Sequence, residues 1–114
     1  MSDLAQRKCA ACNKDTPRLS REKQQGLARE VPHWSVADER LRRRFVFRDF
    51  VTSIRFVDEM ARIAESEGHH PIFTVDYDKV DVVLWTHAID ALSENDFILA
   101  AKLDGAAAPL GGDR

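Results

Sequence analysis

The chain has 114 residues and carries 17 lysines and arginines against 19 aspartates and glutamates, a formal net charge of −2. This balance argues against a nucleic-acid-binding protein, which needs an excess of positive charge to bind phosphates. No apolar run reaches the roughly 18 residues that a membrane-spanning helix needs. The length predicts one globular domain. The two cysteines are too few for a disulfide scaffold, so we expect the protein in a reducing cytoplasm.

Both ends of the chain differ in composition from its middle. Residues 1–18 are polar, contain Cys9 and Cys12, and are predicted to form a flexible N-terminal tail. Residues 105–114 are rich in glycine and alanine and are predicted to form a C-terminal tail. The folded domain is therefore expected over residues 19–104.

Signals for helices and strands alternate along the predicted domain. Ser20 is a typical N-cap for the first predicted helix. Two short strands, 34–36 and 41–47, follow it and are joined by a turn at 38–39. We interpret them as a hairpin, although Arg43 falls on the mostly apolar face of the second strand.

The longest predicted helix begins at Asp49 and ends near Glu67, where Gly68 occupies the position of a left-handed C-cap. The remaining predicted elements are strands 72–77 and 80–86 and a helix over 93–103. The order α-β-β-α-β-β-α predicts an α+β fold, in which three helices pack on one face of a four-stranded antiparallel sheet. The residues expected on the helix-facing side of the last two strands are Phe73, Val75, Tyr77, Val80, Val82 and Leu84.

The pairing of the last two strands bears on the histidines. A two-residue turn at 78–79 would place His70 opposite His87, with their Cβ atoms about 4.5–5.5 Å apart. His69 would then point to the other side of the sheet or lie in the loop before the strand. Two imidazoles in one small volume can supply a proton donor and a proton acceptor near neutral pH, as acid/base catalysis requires. The alternative is that these are exposed histidines at strand ends without function.

Other residues near the histidines each have two interpretations. Glu65 and Glu67 could orient an imidazole, or they could form a solvated last turn of the helix. Asp96 could reach the same volume, although a capping box from Ser93 to Asp96 also accounts for it. Trp85 could stack on a flat ligand, whereas Tyr77 has the same chemistry but is expected in the core.

A zinc site is the remaining alternative. The candidate ligands are Cys9, Cys12, His69 and His70. Consecutive histidines on an extended segment project in opposite directions, and no second cysteine pair completes a set of four ligands. A redox role for the Cys-x-x-Cys motif lacks the preceding strand of a thioredoxin-like unit. We therefore expect no metal site.

A combined motif covers much of the chain. Glu65 stands four residues before the run His69-His70-Pro71. Later matching positions are Tyr77, Lys79, Val80, Thr86, His87 and Asp96, and the motif Leu-Arg-Arg-x-Phe-x-Phe-x-Asp-Phe stands at 41–50. Over residues 20–104 the chain resembles the pterin-4a-carbinolamine dehydratase family, also called the 4a-hydroxytetrahydrobiopterin dehydratases.

The resemblance implies an activity. Members of this family remove water from a 4a-hydroxytetrahydropterin to give quinonoid dihydropterin, which recycles the cofactor of aromatic amino-acid hydroxylases. No metal or organic cofactor takes part, and members assemble as homodimers or homotetramers. We therefore expect a pterin substrate, an aromatic amino-acid hydroxylase as a candidate partner, and no nucleic-acid or membrane partner.

The resemblance also implies a set of site residues. They are His69, His70 and His87 as catalytic groups, and Glu65, Pro71, Thr86 and Asp96 as substrate-binding or orienting groups. Trp85 is added to the substrate-binding groups because its ring could stack on a flat ligand. On this hypothesis His70 and His87 act as general base and general acid, in an order that the sequence leaves open. The alternative function is a non-catalytic dimerisation or coactivator-type protein-binding module of the same fold.

Overall fold

Residues 3–112 are described by the computed structural model and contain three α-helices and one four-stranded sheet. The helices are α1 (Arg21–Ala28), α2 (Phe50–Glu67) and α3 (Glu94–Ala107). The strands are β1 (Ser35–Ala37), β2 (Arg40–Val46), β3 (Ile72–Asp76) and β4 (Lys79–Leu84). Their order and their antiparallel pairing confirm the predicted α+β fold.

The sheet has the strand order β1-β2-β4-β3, so β2 and β4 are central and β3 lies at an edge. Every second residue of the two central strands is buried, on the side that faces the helices. The buried residues of these strands are Leu41, Arg43, Phe45, Val80, Val82 and Leu84. The apolar ones form one core with Phe56 and Met60 of α2 and Phe97 of α3.

The edge strand β3 leaves apolar side chains uncovered. Phe73 is 43% exposed and Tyr77, in the turn that follows, is 62% exposed. The expectation that the whole apolar side of the last hairpin packs against the helices is therefore wrong for these two residues. The reason is topological, because an edge strand has a neighbour on one side only and the core lies over the two central strands.

The hairpin of β3 and β4 turns at residues 77–78, so that Asp76 pairs with Lys79. The predicted turn at 78–79 is wrong by one residue, and each residue's partner on the other strand moves by two positions. A shift of two keeps every side chain on its predicted face of the sheet. Tyr77 adopts a left-handed φ of 53° in this turn.

The observed register removes the histidines from the strand ladder. β3 begins at Ile72 and β4 ends at Leu84, so neither His70 nor His87 belongs to a strand. The prediction that these two histidines lie directly opposite each other in the sheet is therefore wrong. Their positions depend instead on the loops that follow α2 and β4.

Both ends of α2 are fixed by caps. The Asp49 carboxylate accepts a hydrogen bond of 2.8 Å from the backbone N–H of Thr52. Gly68 ends the helix with a left-handed φ of 65°, a conformation that suits glycine. The chain therefore leaves α2 along a defined path and enters the pair His69-His70.

The segments predicted to be tails lie against the domain where the structure describes them. Leu4 is fully buried in the core, within a short 3-10 turn that packs on α3. At the other end α3 continues to Ala107, which is also buried. The predicted domain boundaries at residues 18 and 104 stay predictions. Residues 1–2 and 113–114 lie outside the described part of the chain.

Within residues 3–112, no helix is both long enough and apolar enough to cross a membrane. The cytoplasmic location expected from the cysteine content stays a prediction.

The charged residue on the apolar side of β2 is accommodated by specific partners. Arg43 is 6% exposed, and its guanidinium donates to Oδ1 of Asp104 (2.5 Å) and to the carbonyl oxygen of Gly112 (2.9 Å). The same Asp104 oxygen accepts a hydrogen bond of 2.8 Å from the indole N–H of Trp34. Burial raises the pKa of Asp104, and its bonds to Trp34 and Arg43 act in the opposite direction. Arg43 therefore ties β2 to α3 and to the C-terminal segment.

Replacing Arg43 with Met should strongly destabilise the fold. The change removes the cation that faces the mostly buried Asp104, a loss that typically costs about 3 kcal/mol. Urea unfolding followed by circular dichroism measures the difference in the free energy of unfolding. The matched control is Arg44→Met on the opposite face of β2, where an exposed ion pair with Asp81 should contribute little. Equal effects of the two substitutions would contradict the structural role given to Arg43.

Candidate active site

The C-terminal turn of α2 carries the first part of the site. Oε1 of Glu65 accepts a hydrogen bond of 2.7 Å from Nε2 of His70, just after the helix. Both side chains are largely exposed, Glu65 at 81% and His70 at 60%. The bond therefore orients an imidazole that stays open to solvent, which is one of the two interpretations that the sequence allowed for Glu65.

Glu67 points to a different partner. Its Oε1 accepts a hydrogen bond of 2.7 Å from the backbone N–H of Cys9, and this bond lowers the pKa of the Glu67 carboxyl. Glu67 therefore fixes the N-terminal segment against the end of α2, and the interpretation that it orients an imidazole is wrong.

The second part of the site is buried. Nε2 of His69 donates a hydrogen bond of 2.6 Å to Oδ1 of Asp96, and the two residues are only 5% and 0% exposed. Oδ2 of Asp96 accepts from the hydroxyl of Thr86 (2.9 Å) and from the backbone N–H of Ser93 (3.0 Å). The predicted capping box is confirmed. The same carboxylate therefore caps α3 with one oxygen and holds His69 with the other.

The contact with Asp96 decides which His69 nitrogen faces the surface. A carboxylate oxygen only accepts hydrogen bonds, so the ring proton lies on Nε2, and Nδ1 is left with a lone pair. The sulfur of Cys12 lies 3.7 Å from that Nδ1. The arrangement presents a fixed proton acceptor beside a thiol.

The third part of the site follows β4. The His87 ring stacks on Trp85 with a centroid distance of 4.2 Å and an interplanar angle of 3°. The guanidinium of Arg40 lies 4.2 Å from the centroid of the same Trp85 ring, and it also pairs with Asp90 at 2.7 Å. Trp85 therefore supports a histidine and a cation instead of standing free for a ligand.

A backbone bridge shapes the loop that carries His87. The N–H groups of Thr86 and Ala91 each donate to the other residue's carbonyl oxygen, at 2.9 and 3.4 Å. Between them lies a 3-10 turn, His87–Ile89, followed by Asp90 with a left-handed φ of 49°. The loop is thus closed at its base, immediately beside Asp96.

A concavity of about 220 Å³ lies where these parts meet. Its lining residues are Cys12, Gly68, His69, His70, His87 and Ala88. At about 30 Å³ for each water, it has room for roughly seven water molecules, which is enough for a small molecule. A larger groove of about 830 Å³ lies between α2 and the end of α3, but no histidine lines it.

The structure thus places the three predicted histidines around one concavity. Of the other expected residues, Glu65 and Thr86 contact this group through His70 and Asp96, and Pro71 leads into β3 at the same end of the sheet. The sequence reasoning missed Arg40 and Asn95, the latter of which donates to the Cys12 sulfur at 2.9 Å. No local signal identifies either one, because their partners are distant in the chain.

Within residues 3–112, no group of three or more histidine, cysteine, aspartate or glutamate side chains is arranged to hold an ion. Cys12 and His69 approach each other at 3.7 Å, but they are two candidate ligands and not three.

Comparisons with known sequences give one consistent result. A family model described as pterin 4 alpha carbinolamine dehydratase matches residues 17–106. A relative from Marinobacter nauticus is 41% identical over 108 residues, covering 91% of this chain and 97% of its own. One from Rubrobacter xylanophilus is 41% identical over 105 residues, covering 91% and 98%. Both relatives are provisionally named pterin-4-alpha-carbinolamine dehydratases.

Solved structures agree in fold. A protein described as a transcriptional coactivator/pterin dehydratase from Brucella melitensis has a TM-score of 0.77 at 33% identity, covering 80% of this chain and 99% of its own. A pterin dehydratase-like protein, described as a RuBisCO assembly factor in the alpha-carboxysome, has a TM-score of 0.55 at 24% identity, covering 65% and 86%. The second likeness shows the fold alone.

Asp96 should hold neutral His69 as the Nε2–H tautomer. Two-dimensional NMR of the ring nitrogens at mildly alkaline pH should place the His69 proton on Nε2. Asp96→Asn should remove this preference, because an amide can donate as well as accept. His33, which is exposed, serves as the internal control in both spectra. A proton on Nδ1 of His69 in the unaltered protein would contradict the assignment.

Proposed function

Because the chain belongs to the pterin 4 alpha carbinolamine dehydratase family, we propose that it removes water from a 4a-hydroxytetrahydropterin to give quinonoid dihydropterin. The observation that carries the proposal is the concavity lined by His69, His70 and His87. Three imidazoles around one opening supply both proton donors and proton acceptors near neutral pH. The product would return to aromatic amino-acid hydroxylases as a recycled cofactor precursor.

The reaction needs two proton transfers. The carbon–oxygen bond at C4a breaks, and the hydroxyl leaves as water after it gains a proton. A ring nitrogen supplies the electron pair for the new double bond and loses its own proton. One proton is taken up and one is released, so the reaction consumes no net proton. General acid and general base catalysis each contribute typically 10²–10⁴-fold to a rate, and fixed positioning of the substrate adds to this.

The three histidines are suited to different tasks. His70 and His87 are exposed at the rim, so they can exchange protons with the pterin and then with water. Glu65 orients His70, and the Trp85 ring supports His87. His69 is held rigidly by Asp96, and its Nδ1 is suited to accept a hydrogen bond from a pterin N–H.

Exposed apolar side chains support self-association of this chain. They are Val46, Phe50, Val51, Ile54, Ile72, Phe73 and Tyr77. Three of them lie on or beside β3, an edge strand whose outer backbone groups are unpaired within the sheet. We infer the homodimer or homotetramer that the family resemblance implies. The candidate hydroxylase partner stays a prediction.

The purified chain should therefore have a mass in solution of two or four times its own 12.9 kDa. Light scattering coupled to size-exclusion chromatography measures this mass. Phe73→Asp should shift it towards that of the monomer, because a charge would replace an apolar contact. Gln25→Asp is the control, because this exposed residue lies on α1, which contacts β1 at the opposite edge of the sheet. A monomeric unaltered chain would refute the inference.

Substitution of the rim histidines tests the catalytic proposal. His70→Ala and His87→Ala should each lower the rate above the spontaneous background by about 10²–10⁴-fold. Product formation from a chemically generated 4a-hydroxypterin is followed by its ultraviolet absorbance. His33→Ala, an exposed histidine in the segment between α1 and β1, is the control and should leave the rate unchanged. Near-normal rates in both rim variants would reject the assignment.

The same assay separates the enzyme from a binding module. The Brucella melitensis protein is described both as a transcriptional coactivator and as a pterin dehydratase. This description supports the alternative that the present chain is a protein-binding module. An unaltered chain that self-associates but does not accelerate the reaction would favour the binding module.

A further inference from the structure

The N-terminal segment carries a cysteine into the candidate site. Asn95, at 5% exposure, donates from Nδ2 to the carbonyl oxygen of Ala10 (2.8 Å) and accepts at Oδ1 from the Ala10 N–H (2.9 Å). The same Nδ2 donates to the sulfur of Cys12 at 2.9 Å. A buried amide therefore fixes both the path of this segment and the position of the Cys12 sulfur.

The sulfur of Cys12 belongs to a chain of three groups. It lies 3.7 Å from Nδ1 of His69, and Nε2 of His69 donates to Asp96 at 2.6 Å. The thiol also lies 3.8 Å from the Ala10 carbonyl oxygen, but a neutral carbonyl does not take up a proton. An imidazole backed by a carboxylate does, which is the arrangement that activates cysteine nucleophiles.

The second cysteine of the Cys-x-x-Cys motif has the opposite surroundings. The Cys9 sulfur lies 3.6 Å from the Asn95 carbonyl oxygen, and its backbone N–H binds the Glu67 carboxylate. Burial and the negative charge of Glu67 raise the pKa of Cys9 to about 12. Cys9 therefore stays a protonated thiol at neutral pH, whereas the Cys12 sulfur lines an open concavity beside a base.

We propose that Cys12 is a reactive thiol that forms a mixed disulfide with small-molecule disulfides. His69 accepts the thiol proton at Nδ1, and the Cys12 sulfur attacks one sulfur of the disulfide. A new sulfur–sulfur bond forms, the old one breaks, and the leaving thiolate takes the proton from His69. Cys12 is oxidised and half of the small disulfide is reduced, so the electrons balance.

This modification would also regulate the site, a consequence that rests on the proposed function. Cys12 and the three histidines line one concavity of about 220 Å³. An adduct on the sulfur therefore occupies the space that the pterin needs, and the Nδ1 of His69 faces the adduct. Reduction of the mixed disulfide restores the open site.

Thiol labelling of the full chain tests the reactivity. Cys9→Ser isolates Cys12, and Cys12→Ser isolates Cys9. With 5,5′-dithiobis(2-nitrobenzoate) at neutral pH, folded Cys9→Ser should react at least about tenfold faster than folded Cys12→Ser. Absorbance of the released thiolate gives the rates, and peptide mass spectrometry confirms the labelled residue.

The same variants unfolded in urea serve as references. Unfolding should bring the two rates together, slowing Cys12 and speeding Cys9. A folded Cys12 that reacts no faster than its unfolded form would overturn the proposal and leave the thiol as a hydrogen-bond partner of His69. His69→Gln should slow the labelling of Cys12 to the unfolded rate, and an unchanged rate would overturn the role of His69 as proton acceptor.

Dehydratase measurements with oxidised glutathione test the regulation separately. Treated Cys9→Ser should lose its rate above background and recover it with dithiothreitol, while the same treatment should not change the rate of Cys12→Ser. Full activity of the adduct would overturn the regulation. An untreated chain without activity would overturn the proposed function, and the labelling rates would still decide the reactivity of Cys12.

Discussion

One buried carboxylate connects the folding of this chain to its candidate site. Asp96 caps α3 at Ser93, accepts from Thr86 beyond the end of β4 and holds His69 beyond the end of α2. Hydrogen bonds to a charged group contribute about 1.5–3 kcal/mol each, so these contacts matter to stability as well as to chemistry. Because the donors come from three separate segments, the imidazole reaches its position only when those segments have packed together.

The features that the sequence predicted well are those that a single element determines. The caps at Ser20 and Gly68 depend on residues within one turn of the helix end, and they appear as predicted. The predicted start of α2 at Asp49 lies one residue before the observed start at Phe50, because Asp49 is the N-cap. The predicted position of the last hairpin's turn was wrong because Tyr77 adopts a left-handed conformation that tyrosine rarely takes. The exposure of Phe73 could not be predicted, because the order of strands in a sheet is not encoded in the alternation of any one strand.

The candidate site was predicted in its residues and not in its geometry. The resemblance to a family supplied the three histidines, but the sequence brought His70 and His87 together by a strand register that does not exist. Cys12 was weighed only as a zinc ligand or a redox residue. Its contacts with His69 and Asn95 join positions 57 and 83 residues apart, and only the packed chain reveals them.

The backbone bridge between Thr86 and Ala91 has an evolutionary consequence. It closes residues 87–90 into a loop at its base, so a substitution at Ala88, which lines the concavity, changes the rim while the hydrogen bonds of Asp96 stay intact. Related chains could therefore come to bind a different ligand through substitutions in this loop, without losing the hydrogen bond that holds His69 in place.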